Sequence, residues 1–302
     1  MRELKDRIAF ITGGAKGIGL ATAEAMAREG VKIAIADLDT AALSAAEQRL
    51  TELGASVVTI ELDVASQESW GRAAKTVRNA LGEPDILCNN AGIGQGHYVD
   101  GRQLSLAELP EAVWRSVMET NVNGVYFGLR AFVPSMIERG GPGHVVNVSS
   151  MAGLIAPPGL AAYAASKFAV MAMSEALRGE LEPHGIGVSV LCPGGVSTSF
   201  VATAAARVNA LAGETPEAIA PQPSGPGSER MDPSFVGKRI VEAIVNNELY
   251  VFTHPEYRPL VEERHAAVAS GFRRGAQPGY HDPASLIARS RSEVYRSIVE
   301  HG

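Results

Sequence analysis

Residues 12–19 read Thr12-Gly13-Gly14-Ala15-Lys16-Gly17-Ile18-Gly19, set between a short apolar run at residues 7–12 and a helix-like segment at residues 17–30. A strand that passes into a helix through so many glycines constrains the fold more than any other feature here. Glycines let the backbone turn sharply and come close to a ligand's pyrophosphate, which then meets the positive end of the helix dipole.

The same rhythm continues down the chain. Strand-like runs are expected at 31–37, 56–62, 85–89, 144–149, 187–191 and 249–252. Helices are expected between them at 40–53, 66–81, 111–139, 161–184 and 235–246. Strands apolar on both faces that alternate with helices imply a parallel sheet covered on both sides, so the fold class is α/β, doubly wound and Rossmann-like. With 46% hydrophobic residues in 302, the chain can build one large core. The expected organisation is a Rossmann-like domain over 1–254 and a C-terminal helical extension over 255–302. Three stretches interrupt the rhythm: a polar loop at 92–110, an Ala-, Pro- and Gly-rich segment at 197–232, and the amphipathic tail. A loop as long as 197–232 inside a compact domain reads as a substrate lid or as a disordered segment.

The balance of 27 basic against 33 acidic residues, net −6, offers no concentrated basic face for nucleic acid. No run of 18 apolar residues occurs to span a membrane, and the N-terminus lacks signal-peptide character, so a cytoplasmic protein is expected. Cys88 and Cys192 sit in apolar strand-like runs and read as small core residues rather than a disulfide. No His, Cys, Asp or Glu cluster has metal-ligand spacing, so no metal is expected.

Asp37 lies 20 residues after Gly17, at the end of the second strand. An acid there accepts hydrogen bonds from adenosine ribose hydroxyls and repels a 2′-phosphate, which favours NAD over NADP. Leu38 follows it against the adenine side. Lys16 points the other way, because a cation beside the glycine turn could meet that phosphate. Asp63 and Val64 end the third strand and either hold the adenine edge or simply cap the next helix.

Taken in order, Thr12-Gly13 with Gly17-Ile18-Gly19, Asn89-Asn90-Ala91-Gly92, Asn121, Ser150, Tyr163 with Lys167, and Pro193-Gly194 resemble the short-chain dehydrogenase/reductase family over about residues 5–255. The resemblance implies a cofactor site of Gly13, Lys16, Gly17, Ile18, Gly19, Asp37, Leu38, Asp63, Val64, Asn90, Ala91, Gly92, Tyr163, Lys167, Pro193, Val196 and Thr198. Val196 and Thr198 would bind the nicotinamide carboxamide, and Asn90 would brace the sheet against the cofactor. It implies Asn121, Ser150, Tyr163 and Lys167 as catalytic residues, with Asn121 holding a water on the long helix. Ser150 is preferred to Ser149 because it precedes Tyr163 by 13 residues. Homodimers or homotetramers are the family's habit, and the alanine-rich face near residues 161–176 suits one.

Tyr163 and Lys167 are four residues apart on one expected helix, so they share a face. Removing a hydroxyl proton during hydride transfer needs a base within hydrogen-bond reach, and a free tyrosine with pKa near ~10 is a poor one. An ammonium ~5 Å away at an effective dielectric near ~20 would favour tyrosinate by ~3 kcal/mol, or ~2 pK units. Ser150, at the carboxyl edge of the sheet, can donate to the substrate oxygen as charge develops.

The expected reaction is therefore NAD-dependent interconversion of a secondary alcohol and a ketone. Residues 94–98, 151–160 and the segment from Ser199 onward are expected to wall an apolar pocket for a bulky aryl, terpenoid or steroid-like compound. The tail, with Leu249-Tyr250-Val251-Phe252-Thr253-His254-Pro255-Glu256, is loosely similar to bacterial dehydrogenases of lignin-type aryl alcohols. An NADPH-dependent carbonyl reductase, supported by Lys16 alone, is the alternative within enzymes. A catalytically inactive nucleotide-sensing protein is the alternative outside them.

Overall fold

The computed structural model describes residues 1–95, 98–99, 102–200, 203, 230–273, 283, 294–295 and 298, of which 98–99, 102–103 and 273 are described by backbone alone. The chain order is β1 (Ile8–Thr12), α1 (Gly17–Arg28), β2 (Lys32–Asp37), α2 (Thr40–Glu52), β3 (Val57–Glu61), α3 (Gln67–Ala80) and β4 (Ile86–Asn89). It continues through a short hairpin of β5 (Tyr98–Val99) and β6 (Arg102–Gln103), then α4 (Glu111–Met118), α5 (Gly124–Arg139), β7 (Gly143–Val148), α6 (Ala161–Leu181), β8 (Ile186–Cys192), α7 (Pro233–Asn246), β9 (Tyr250–Phe252) and α8 (Arg258–Ser270).

Seven strands pair in parallel in the order β3-β2-β1-β4-β7-β8-β9. The chain winds outward from β1 through β2 to β3, then crosses to β4 and winds the other way. The carboxyl ends of β1 and β4 thus face a crevice at the topological switch point, where ligands bind in open α/β sheets. One face of the sheet buries α1, α2 and α7 through Met26, Leu50 and Ile240. The other buries α3, α5 and α6 through Trp70, Phe132 and Leu177. On that second face Phe10 of β1 meets Phe132 at 4.8 Å and Trp70 at 5.7 Å between ring centroids.

Local structure departs from the sequence reading in places that matter. The single helix expected at 111–139 is two helices joined by a π-helical turn, Glu119–Asn123. Its i→i+5 bonding inserts an extra residue, a local change that apolar periodicity does not reveal and that often marks a functional position. The helix expected to reach residue 184 ends at Leu181, and a 3₁₀ turn (Glu182–His184) leads to Gly185 in the left-handed region. The loop at 92–110 contains the small β5–β6 hairpin. Most of 197–232 and of the tail beyond residue 273 lies outside the described residues, and so does His97. Within the tail, the Tyr295 hydroxyl donates to Glu175 at 2.6 Å, and Tyr250 of β9 donates to the other oxygen of the same carboxylate at 2.8 Å. Both cysteines are free and buried. No helix among the described residues is long and apolar enough to cross a membrane.

The Phe10–Trp70–Phe132 cluster holds β1, the strand that feeds the glycine turn, to the helices beneath it. Phe132→Ala should cost about 3–5 kcal/mol of unfolding free energy, read as a lowered urea midpoint at unchanged m-value.

Candidate active site

A cavity of about 550 Å³ opens at the switch point. From the glycine turn it is lined by Gly13, Lys16, Gly17 and Ile18, and from the ends of β2 and β3 by Asp37, Leu38, Asp63 and Val64. Asn90, Ala91 and Gly92 line it beyond β4, Ser150, Tyr163 and Lys167 across the floor, and Pro193, Val196 and Thr198 beyond β8. Two of the residues expected at the site stand behind this wall: Gly19 and Asn121.

Gly19 is there for close approach. A Cβ on it would lie 2.1 Å from the Gly13 carbonyl oxygen and 2.6 Å from Asn90 Nδ2. Asn90 Nδ2 in turn donates to the carbonyls of Thr12 and Gly13 at 2.9 and 3.1 Å, so β4 holds the turn in shape. Gly17 has φ of +54°, which a side chain would strain. The N-terminus of α1 has no side-chain cap and no acid in its first turn. Among the described residues no side chain caps this helix start, so its first N–H groups and dipole are available to the cavity, which fits a dinucleotide pyrophosphate.

Both oxygens of Asp37 are held: Oδ2 accepts from Ala15 N at 3.3 Å and Oδ1 from Asp39 N at 3.2 Å. Asp39 itself was missed by the sequence reading. It caps α2 by accepting from Ala42 N at 3.0 Å and takes Lys16 Nζ at 2.5 Å. That ammonium is the first cause of the lowered Asp39 pKa. The cation that could favour a 2′-phosphate is thus held by an acid two residues beyond Asp37. Asp63 makes a local turn, its Oδ1 accepting from Ala65 N at 3.0 Å, and still lines the cavity.

Asn121 lies in the π-turn and is fully buried. Its Oδ1 accepts from Ile93 N at 2.8 Å, and its Nδ2 donates to Ile93 O at 2.9 Å and Ser166 Oγ at 3.0 Å. The side chain is thereby fully engaged with protein and fixes the loop after β4. Of the two adjacent serines, Ser149 Oγ donates to the Lys167 carbonyl at 2.8 Å, on the helix side. Ser150 caps the 3₁₀ turn Met151–Gly153, its Oγ accepting from Ala152 N at 3.1 Å, and its hydroxyl pulls the Tyr163 pKa downward. Lys167 is 3% exposed, a rare position for an ammonium. Its Nζ donates to Val148 O at 2.9 Å and stands 5.6 Å from the Tyr163 ring centroid.

The electrostatics run against the simple pairing argument. Burial pushes the Tyr163 phenol up to about 12, with Ser150 pulling in the opposite direction, and burial pushes Lys167 down to about 8. Proximity to the lysine is as expected, but desolvation is the largest cause for both groups and sets the direction of each shift. In the protein alone, neither member of the pair is eased into its charged form.

The substrate side also differs from expectation. Among the described residues none of 151–160 lines the cavity; Met151 and Ala152 are buried, and residues 154–160 are half-buried or exposed away from it. Ile93, Phe200 and Thr203 line it instead, and Phe200 tilts over Tyr163 at 6.0 Å between ring centroids. Arg230 adds a cation that the reading of an almost uncharged wall missed. No composition signal marked it, since it ends a stretch of sequence without periodic pattern and precedes a helix.

A crevice with a glycine turn, an acid at the end of β2 and a Tyr–Lys pair on one helix defines a dinucleotide-linked oxidoreductase. The family model for short chain dehydrogenase matches residues 7–209, and the chain belongs to that family. It is 33% identical over 299 residues to the C alpha-dehydrogenase of Sphingobium sp. (strain NBRC 103272 / SYK-6), covering 97% of this chain and 93% of that one. It is 36% identical over 260 residues to the 1-deoxy-11-beta-hydroxypentalenate dehydrogenase of Streptomyces exfoliatus, covering 85% and 86%. Among solved structures, a short chain dehydrogenase/reductase from Burkholderia phymatum in complex with NAD matches with a TM-score of 0.78 at 30% identity, over 93% of this chain and 100% of that one. The chain is accordingly an oxidoreductase acting on alcohol- or ketone-type substrates, of a family that binds NAD(P).

Burial of Lys167 has a measurable consequence. Its folded pKa of about 8 lies below the ordinary lysine value of 10.5, so between these values the unfolded chain binds the extra proton and folding stability rises with pH. Below pH 8 the full cost of burying the ammonium is present. The stability difference between wild type and Lys167→Met, from urea unfolding of the ligand-free protein at pH 7, 8 and 9, should shift toward wild type above pH 8. The slope should approach about 1.4 kcal/mol per pH unit.

Proposed function

We propose that this chain is an NAD-dependent dehydrogenase that interconverts a bulky, largely apolar secondary alcohol and its ketone. The observation that carries the cofactor choice is Asp37, fixed at the end of β2 by two backbone N–H groups, with Asp39 drawing Lys16 onto itself. A carboxylate held there suits ribose hydroxyls and repels a 2′-phosphate. The relative from Burkholderia phymatum, in complex with NAD, agrees with this choice.

In the reaction, the bound nicotinamide supplies the hydride acceptor or donor. Tyr163 moves the proton at the substrate oxygen, and Ser150 donates a hydrogen bond to that oxygen as its charge changes. Lys167 holds the nicotinamide ribose and keeps positive charge near the phenol. Asn121 keeps the loop after β4 in register with the helix that bears Tyr163, through Ile93 and Ser166. Val196 and Thr198 hold the carboxamide side. Positive charge on the oxidised cofactor, added to that of Lys167, offsets the burial that raises the Tyr163 pKa.

The apolar character of Ile93 and Phe200 beside Tyr163 supports a substrate of aryl, terpenoid or steroid type. The Sphingobium and Streptomyces relatives, named as dehydrogenases, agree in reaction type. We read residues 1–254 as the catalytic domain, 197–232 as its substrate lid and 255–302 as a helical extension. A homodimer or homotetramer in the cytoplasm completes the reading.

Two experiments test it. Steady-state rates with both cofactors should favour NAD over NADP in kcat/KM, and Asp37→Ala should lower that ratio at least ~10-fold, about 1.4 kcal/mol. A preference for NADP in the wild type would turn the assignment to a carbonyl reductase. Across a panel of aryl, steroid, aliphatic and small charged hydroxy-acid substrates, Tyr163→Phe should lower kcat by ~10²–10⁴ while NAD still binds. Cofactor binding with no turnover on any of them would instead favour a nucleotide sensor.

A further inference from the structure

We propose that His254 is a positioning residue that fixes the Pro193-Gly194-Gly195 wall of the active-site cavity. The inference rests on the dehydrogenase reading above, because that wall leads into Val196 and Thr198 on the nicotinamide side.

His254 follows β9, the edge strand beside β8, and is 8% exposed. It does not itself line the cavity, but Pro193, Gly194 and Gly195 do. Its Nδ1 lies 3.0 Å from Gly194 N and 2.8 Å from Thr253 Oγ1, and its Nε2 lies 3.3 Å from Gly195 O. The Gly194 N–H can only donate, so Nδ1 must carry a lone pair. The Thr253 hydroxyl shares that one lone pair in a three-centre bond, and Nε2 carries the hydrogen that points at Gly195 O. One neutral tautomer satisfies all three contacts.

The ring is also a steric stop. A Cβ on residue 194 would lie 2.8 Å from His254 Cγ and Cδ2, so the presence of the imidazole requires glycine there. Tyr257 meets the ring edge-on, at 6.2 Å and 82°. On its far side the same loop is tied to the catalytic serine. The Pro193 carbonyl accepts from Met151 N at 3.0 Å and lies 3.5 Å from Ser150 Oγ. His254 therefore reaches Ser150 through three residues of backbone that line the cavity. A histidine that merely filled the core would need neither nitrogen aimed at this loop.

The test combines binding with a direct view of the ring. In ligand-free wild-type protein, ¹⁵N NMR of the histidines should show His254 as the Nε2–H tautomer; the Nδ1–H tautomer would overturn the proposal. His254→Ala should raise the NAD dissociation constant about tenfold and raise KM for NAD more than it lowers kcat. His254→Asn, whose Oδ1 can accept from Gly194 N, should recover most of that loss. Gly194→Ala should be much more damaging in wild type than in the His254→Ala background, because the added methyl meets the ring only when the ring is present. Unchanged NAD affinity in both His254 variants, or strict additivity with Gly194→Ala, would show a purely structural residue and overturn the proposal. If His254→Ala does not fold, the tautomer and the Asn variant decide. Wild-type protein that binds NAD but turns over no alcohol would defeat the dehydrogenase reading and leave these binding measurements to judge His254 separately.

Discussion

An ammonium group buried beneath a phenol is the constraint on which the rest of the site depends. Lys167 is anchored by a single carbonyl, Val148 O at the end of β7, and burial drives its pKa down to about 8 while driving that of Tyr163 up to about 12. Such a pair is costly in the protein alone, since a desolvated cation needs compensation that one carbonyl only partly gives. The arrangement makes sense as a site completed by its ligand. Ribose hydroxyls can satisfy the remaining lysine protons, and a positively charged nicotinamide shifts the phenol toward ionisation. Strain of this kind, held by a rigid sheet, is what functional sites commonly store.

The sheet makes that storage tolerable. Much of the cavity wall comes from a strand's carboxyl end or the first turn after it: the glycine turn after β1, Asp37 on β2, Asp63 after β3, Asn90 after β4, Ser150 after β7, Pro193 after β8; α6 adds Tyr163 and Lys167. Side-chain hydrogen bonds then cross between these ends. Thr12 Oγ1 accepts from Asn90 N and Ala91 N at 3.0 Å each, tying β1 to β4. Asn89 Nδ2 donates to Asn147 at 2.9 Å, tying β4 to β7. His254 adds the tie from β9 back to the loop after β8. Each joint lies between neighbouring strands of the sheet.

Much of this was legible in the sequence because it depends on local chemistry at fixed spacing. The strand–glycine–helix start, the acid at position 37 and the four-residue step from Tyr163 to Lys167 each carry their geometry with them. What escaped depended on relations between distant segments or on environment. The π-turn at Glu119–Asn123 preserves helical composition while shifting register. Asp39 reads as an ordinary helix cap until Lys16 is seen to reach it. Phe200 and Arg230 flank a long segment with no pattern to place them in the cavity. The direction of the Tyr163 shift escaped for a different reason: pairwise charge can be guessed from spacing, whereas the desolvation opposing it depends on how much of the fold closes around the pair.

The central claim is that the Tyr163 phenol becomes a usable base only when the cofactor is bound above Lys167. It is tested most directly by following phenolate formation by ultraviolet difference absorbance, with Tyr163→Phe as the blank, in the presence and absence of NAD. The account predicts titration near pH 12 in the free protein and a shift of at least ~2 pK units downward with NAD bound, lost in Lys167→Met. A Tyr163 titration that does not move when NAD binds would contradict it.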